Sequence, residues 1–281
     1  MSKADEIFVS MCNRIISENN DTKGEKVRPK WPDGTSAYTI KSFGVVNYYD
    51  LREEFPAITL RQTYIKSSIE EILWIYQKKS NNIHDLKPHI WDEWADEDGS
   101  IGKAYGYQIG IKHHYKEGDF DQMDRVLFDL KENPYSRRIM TNTYNHHDLH
   151  EMNLYPCAYS LTFNVTPGKN GKLILNAVLN QRSQDVLAAG NWNVVQYAAL
   201  IMMVAQACNM IPGILMHVIA DAHIYDRHVP IVKELIKREQ YPAPKVTLDP
   251  SITDFYAFTP DSFTIKDYRY GEQIKDIPIA I

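Results

Sequence analysis

The stretch from Val194 to Met210 restricts this chain most: it is apolar except for Gln196, Gln206 and Asn209. It has the length of a buried helix and falls short of a comfortable membrane span. A helix that is apolar on all sides has to lie at the centre of a fold. Other segments supply what would surround it. Leu161, Phe163 and Val165 alternate, as do Leu173, Leu175, Ala177 and Leu179, which predicts two strands. A third strand is expected at 217–220, leading into Asp221-Ala222-His223-Ile224-Tyr225. Ile69, Ile72, Leu73 and Tyr76 fall at helical spacing, so roughly 64–77 reads as an amphipathic helix with Glu71 inside it. Pro230 suits the first turn of a helix continued by Ile231, Val232, Leu235 and Ile236. Asn193 is placed to cap the central helix. Residues 18–36 are polar and carry Arg28 on a loop. No repeat, low-complexity segment or linker divides the 281 residues, so 1–281 is read as a single domain of α+β or α/β class.

Composition narrows the function. At 44% apolar and 24% charged, this is ordinary globular material. A net charge of −5 argues against broad nucleic-acid or anionic-membrane binding, though it leaves room for a local basic pocket. The three cysteines, Cys12, Cys157 and Cys208, have no metal-ligand spacing, which fits a reducing compartment better than a disulfide framework. The first residues lack the apolar core of a signal peptide, so a soluble, cytoplasmic protein is expected. His113-His114 and His146-His147 lack partners at a recognised metal spacing and read as solvated loops. There is no phosphate-cradling glycine motif, no H-E-x-x-H and no dinucleotide fingerprint.

Chemistry concentrates around Cys157. It ends Leu154-Tyr155-Pro156-Cys157, just before a strand-like run, 24 residues upstream of Gln181-Arg182-Ser183. A thiol, a guanidinium and a hydroxyl point to a nucleophile beside a bound anion. A free thiol titrates near ~8.5, and adjacent guanidinium groups favour the thiolate. A buried, inert cysteine is the plain alternative, and it is the reading given to Cys12 and Cys208. Ser136-Arg137-Arg138 adds a second cationic cluster, which is either a solvated face or a phosphate clamp.

These motifs together resemble the thymidylate synthase and pyrimidine hydroxymethylase family, from about Arg28 to Ile281. The resemblance implies an α+β fold in which a large mixed sheet is packed by helices, with two such sheets back to back in a homodimer. It implies reductive methylation of dUMP to dTMP by a methyltransferase, with 5,10-methylenetetrahydrofolate as co-substrate and no metal, flavin or nicotinamide. Cys157 matches the nucleophile, Glu71 the glutamate that organises water for proton transfer, and Tyr105 the tyrosine near the thiol. Arg28, Arg182 and Ser183 match the phosphate site, completed by Arg137 and Arg138 of the other subunit. Gln181, Asn193, His223 and Tyr225 match base and sugar contacts. Asn193 can read the carbonyl and N–H of uracil with one amide. Asp185, Trp91, Trp94, Trp192, Ala280 and Ile281 fall on the folate side, the last two in an apolar tail that excludes water.

The chain departs from the family pattern in Ala188-Ala189-Gly190-Asn191-Trp192-Asn193, where the family commonly has glycine, proline and phenylalanine at 189, 191 and 192, and at Ala158, where histidine is frequent. These changes leave a dUMP hydroxymethylase as the alternative, in which water replaces hydride at the last step. A nucleotide- or RNA-binding regulator without turnover is the alternative from a different class.

Overall fold

The computed structural model describes residues 1–169 and 171–281. In chain order the helices are α1 (Lys3–Glu18), α2 (Ile65–Tyr76), α3 (Gly106–Gly110), α4 (Gln122–Glu132), α5 (Gly190–Ala207) and α6 (Val229–Leu235). The strands are β1 (Asn20–Asp21), β2 (Thr39–Asp50), β3 (His113–Tyr115), β4 (Gly118–Phe120), β5 (Met140–Asn142), β6 (Ala158–Pro167), β7 (Leu173–Gln181), β8 (Gln184–Asp185), β9 (Ile211–Tyr225), β10 (Lys245–Leu248) and β11 (Phe263–Lys266). Seven strands form one mixed sheet in the order β1-β2-β9-β7-β6-β5, with β8 also paired to β9. Pairing is antiparallel except where β7 and β8 run parallel to β9. The α+β expectation therefore holds.

The central helix is α5. Its apolar residues are buried on every side, Leu200 and Ile201 completely, against the sheet and α2. Its end explains one polar interruption of the apolar run. Asn209 takes a left-handed φ of 54°, and the Asn209 and Met210 N–H groups donate to the Gln206 and Ala205 carbonyls, closing the helix in a Schellman motif. The start differs from the expected one. The helix begins at Gly190, with Ala189 in the cap position, so Asn193 is not the N-cap. The tight 185–189 turn lets helical geometry start earlier and frees the Asn193 amide for other partners.

The 217–220 strand is also longer than expected. Burial along β9 carries it from Ile211 through Tyr225, so Asp221, His223 and Tyr225 lie within the ladder. Helix α1 comes without a sequence-based expectation. Ser2 caps it by accepting from the Asp5 N–H, and it buries Phe8, Met11, Cys12 and Ile15. Cys12 is thus a core residue, and Cys208 packs against the core from the end of α5.

The other face of the sheet is open. Val46 and Tyr48 on β2 are 42% and 57% exposed, and register sets them opposite the half-buried Val218 and Met216. No helix among the described residues is long and apolar enough to cross a membrane. Leu200→Ala should destabilise the fold by about 2–5 kcal/mol, because a fully enclosed helix cannot collapse onto the cavity. Urea denaturation followed by circular dichroism measures this, and a loss below ~1 kcal/mol would show that α5 is not the packing centre.

Candidate active site

The β6–β7 ladder builds the reactive centre. Ala158 pairs with Gln181, so Cys157 and Arg182 emerge side by side from neighbouring strands. The Arg182 N–H donates to the Cys157 carbonyl at 3.0 Å. Its guanidinium donates to the Pro156 carbonyl at 3.0 Å and the Tyr155 carbonyl at 2.7 Å, with Nη2 3.9 Å from Cys157 Sγ. The Cys157 N–H donates to the Tyr105 hydroxyl at 3.1 Å, which ties the tyrosine to the thiol. Tyr105 achieves this with φ 44° and ψ −102°, a conformation disfavoured for a bulky residue and typical of strain held at a functional site.

The thiol corrects one expectation. Burial pushes Cys157 up, while Arg182 and Arg28 pull it down, and the net direction is upward. The guanidinium of Arg182 is shared with two carbonyls and does not by itself make the thiolate the resting form. Arg28 nonetheless reaches the site from its loop.

Three residues on one face of β9 form the next element, since side chains two apart share a face. His223 Nδ1–H donates to Asp221 Oδ1 at 2.9 Å, and Lys41 Nζ donates to Asp221 Oδ2 at 2.7 Å. With Nδ1 committed to a carboxylate, Nε2 of His223 is left for a ligand. Tyr225 stacks edge-on to His223 at 5.1 Å. Pairing of β8 with β9 sets Asp185 opposite His223.

Asp185 Oδ1 accepts from the Leu187 and Ala188 N–H groups, each at 3.0 Å. Burial alone would raise this carboxyl, but His228, with Nδ1 3.6 Å from Oδ1, and further help from His223 and the Ala188 N–H bring it below its ordinary range. Asp185 is thus an anion with Oδ2 available to a ligand N–H. His228 Nε2–H donates to the Pro278 carbonyl at 2.7 Å, and Ile281 exchanges two backbone bonds with Lys30, of 2.7 and 2.9 Å. The tail, including Ala280, is thereby docked beside the Arg28 loop.

A chain of amides occupies the floor. His217, pushed down to about 3 by burial and so neutral, donates from Nε2 to Gln181 Oε1 at 2.8 Å. Gln181 Nε2 donates to Asn193 Oδ1 at 3.2 Å and to the Ser183 carbonyl at 3.1 Å, and Asn193 Nδ2 donates to Gln196 Oε1 at 3.0 Å. Beyond it lies Glu71, buried in α2, which accepts from Trp91 Nε1 at 2.9 Å and Trp192 Nε1 at 2.5 Å. Trp91 packs edge-on against Tyr105 at 5.0 Å and Trp94 at 5.8 Å.

Arg137 and Arg138 stand apart. Both are exposed just before β5, the far edge of the sheet, and the arginines whose charge acts on the thiol are Arg182 and Arg28. Lys41, Arg61 (2.5 Å from the Leu187 carbonyl), Gln196 and His228 belong to the site but were not singled out from sequence. Their partners lie far along the chain, and only Gln196, polar inside an apolar helix, carried a visible signal.

Because Arg28 favours the thiolate, Arg28→Gln should move the pH midpoint of Cys157 alkylation upward by about half a unit. Iodoacetamide rates across pH measure it, and an unshifted profile would remove Arg28 from the thiol's surroundings.

Comparison with known proteins agrees with this geometry. The thymidylate synthase family model matches residues 6–280. Thymidylate synthase of Bacillus licheniformis is 40% identical over 279 residues, covering 98% of each chain, and thymidylate synthase 1 of Bacillus subtilis strain 168 is 38% identical with the same coverage. The solved structure of the thermostable thymidylate synthase A from Bacillus subtilis superposes with a TM-score of 0.91 at 37% identity, covering 99% of both chains. None of these relatives is named a hydroxymethylase. The chain belongs to the thymidylate synthase family.

Proposed function

We propose that residues 1–281 act as one catalytic unit that methylates dUMP reductively to dTMP, with 5,10-methylenetetrahydrofolate consumed to dihydrofolate. The adjacency of Cys157 and Arg182, facing the Asn193 amide chain and the Glu71–Tyr105 pair, carries the reading. Arg28, Arg182 and Ser183 hold the phosphate, and a dianion there adds its own demand for the guanidinium groups. Asn193 reads the uracil edge; Gln181 and Gln196 fix its amide so that it presents the same face to every base. His223 Nε2 and Tyr225 hold the sugar hydroxyl, with Asp221 and Lys41 setting the imidazole.

Cys157 adds through sulfur to ring position 6 of uracil, which makes carbon 5 electron-rich. The Cys157 proton leaves as the thiolate forms, and the thiolate departs again when the product is released. Tyr105 and Glu71 move protons at carbon 5 and the ring carbonyl through water. The folate, when bound, supplies both the one-carbon unit and the hydride. The residues present suit it: Asp185 offers an ionised oxygen to a heterocyclic N–H, Trp91, Trp94 and Trp192 offer ring surface, and Ala280 and Ile281 close the side from water.

The dimer is part of this proposal. The open apolar face bearing Val46, Tyr48, Met216 and Val218 suits a second copy, and Arg137 and Arg138 would then reach the partner's phosphate site. Three free cysteines fit a cytoplasmic setting.

Cys157→Ser should keep dUMP binding and lose turnover by about a thousandfold or more, read by dihydrofolate absorbance and calorimetry; unchanged turnover would remove the nucleophile. Asn193→Asp should shift preference from dUMP toward dCMP by about a hundredfold, since a buried carboxylate suits the reversed donor pattern. Mixing inactive Cys157→Ser with inactive Arg137→Ala/Arg138→Ala protein should restore activity if sites are shared. No recovery after subunit exchange would confine each site to one chain.

A further inference from the structure

The Glu71 carboxylate is gripped from two sides, and one grip comes from the residue at which this chain departs from its family's usual phenylalanine. Trp91 donates to Oε1 and Trp192 to Oε2. Trp192 stands on the first turn of α5, next to Asn193, and Glu71 is on α2, so the contact ties two packed helices together at the site. An indole N–H donates and never accepts. Each indole N–H bonds the charged carboxylate more strongly than the neutral acid, so a donor against each oxygen favours the anion.

We propose that Trp192 is a positioning residue for Glu71: its indole, opposed to that of Trp91, fixes the carboxylate's orientation and strengthens its charged form. The inference rests on reading Glu71 as the group that handles protons during turnover.

The surroundings make the two donors decisive. The titratable groups facing Glu71 are Tyr105 and Tyr197, from the two sides of the helix pair, and both phenols are held far above neutrality by burial. No cation contributes to Glu71. Burial raises its titration; Trp192, Trp91 and the Gln196 amide oppose burial without fully offsetting it, so the net direction is upward. Gln196 is the weaker of these, because its buried Nε2 has no partner in hydrogen-bonding geometry. Phenylalanine at 192 would leave Oε2 facing a ring edge with no donor and would admit a proton there.

The test is Trp192→Phe, which keeps a ring and deletes the N–H. Difference infrared spectroscopy, with Glu71→Gln to identify the carboxyl band, should show the titration midpoint of Glu71 rising by about one to two pH units. The acidic limb of kcat/KM should move upward by the same amount, because Glu71 must stay ionised to accept a proton. A midpoint and a limb that both stay in place would overturn the proposal. A midpoint that moves while the limb does not would keep the Trp192 clamp and reject Glu71 as the proton-handling group, separating the two readings. If Trp192→Phe does not fold, nitrogen-15 NMR of the native protein decides: two indole N–H resonances that move together with the Glu71 titration support the clamp, and fewer than two overturn it.

Discussion

The position of β9 between β2 on one side and β7 and β8 on the other is the constraint on which the site depends. This single strand fixes three registers at once. Lys41 falls opposite His223, Asp185 falls opposite His223 from the other side, and Gln181 falls opposite Ile219. Hydrogen-bonded ladders tolerate no partial slip, because a shift of one residue turns every side chain to the other face. A slip on β9 would therefore send Asp221, His223 and Tyr225 to the open face and the apolar Ile224 toward the ligand. The β6–β7 pairing adds the second fixed distance, and Cys157 and Arg182 meet because their strands do.

Buried polar groups in such a frame have to be satisfied by one another. The run from His217 through Gln181 and Asn193 to Gln196 does most of this with neutral groups alone, and its two ends, His217 Nδ1 and Gln196 Nε2, are left without a partner. Its consequence is directional: each amide's orientation is set by its neighbour, so the Asn193 amide is held in one orientation. Neutrality of His217 matters here, since an imidazolium would bring an uncompensated charge into the core.

Part of the candidate site was legible from residue type, the Cys157 thiol and the Arg182-Ser183 pair, whereas Glu71 and Tyr105 were singled out only through the family resemblance. The alternation of 161–165 and 173–179 already placed Cys157 and Arg182 near two strands, and the structure pairs those strands. Asn193 misled because capping rules use sequence neighbours, whereas the turn after Asp185 decides where α5 begins. His228 was invisible for a related reason. It acts on Asp185 and Pro278, and no local pattern announces contacts across 43 or more residues. Gln196 stood out only as a blemish in an apolar run, and the amide chain explains it. Arg137 and Arg138 remain at the sheet edge in a single chain, so their meaning depends on a neighbour that no intrachain pattern encodes.

The open sheet face and the enclosed helix are two sides of one requirement. α5 is apolar all round, so one face of the sheet is consumed in covering it. β9 itself is largely apolar on both faces, with Leu215 and Ile219 inward and Met216 and Val218 outward. A sheet with one wet face would alternate apolar and polar residues. The outward valines and methionine of this one break that alternation, which is what a surface shaped to meet another apolar surface does. Tyr48, beside them, brings a ring that buries well while its hydroxyl keeps a polar partner. The same strands that give the site a rigid floor thus give the molecule a second, partly apolar face open to another surface.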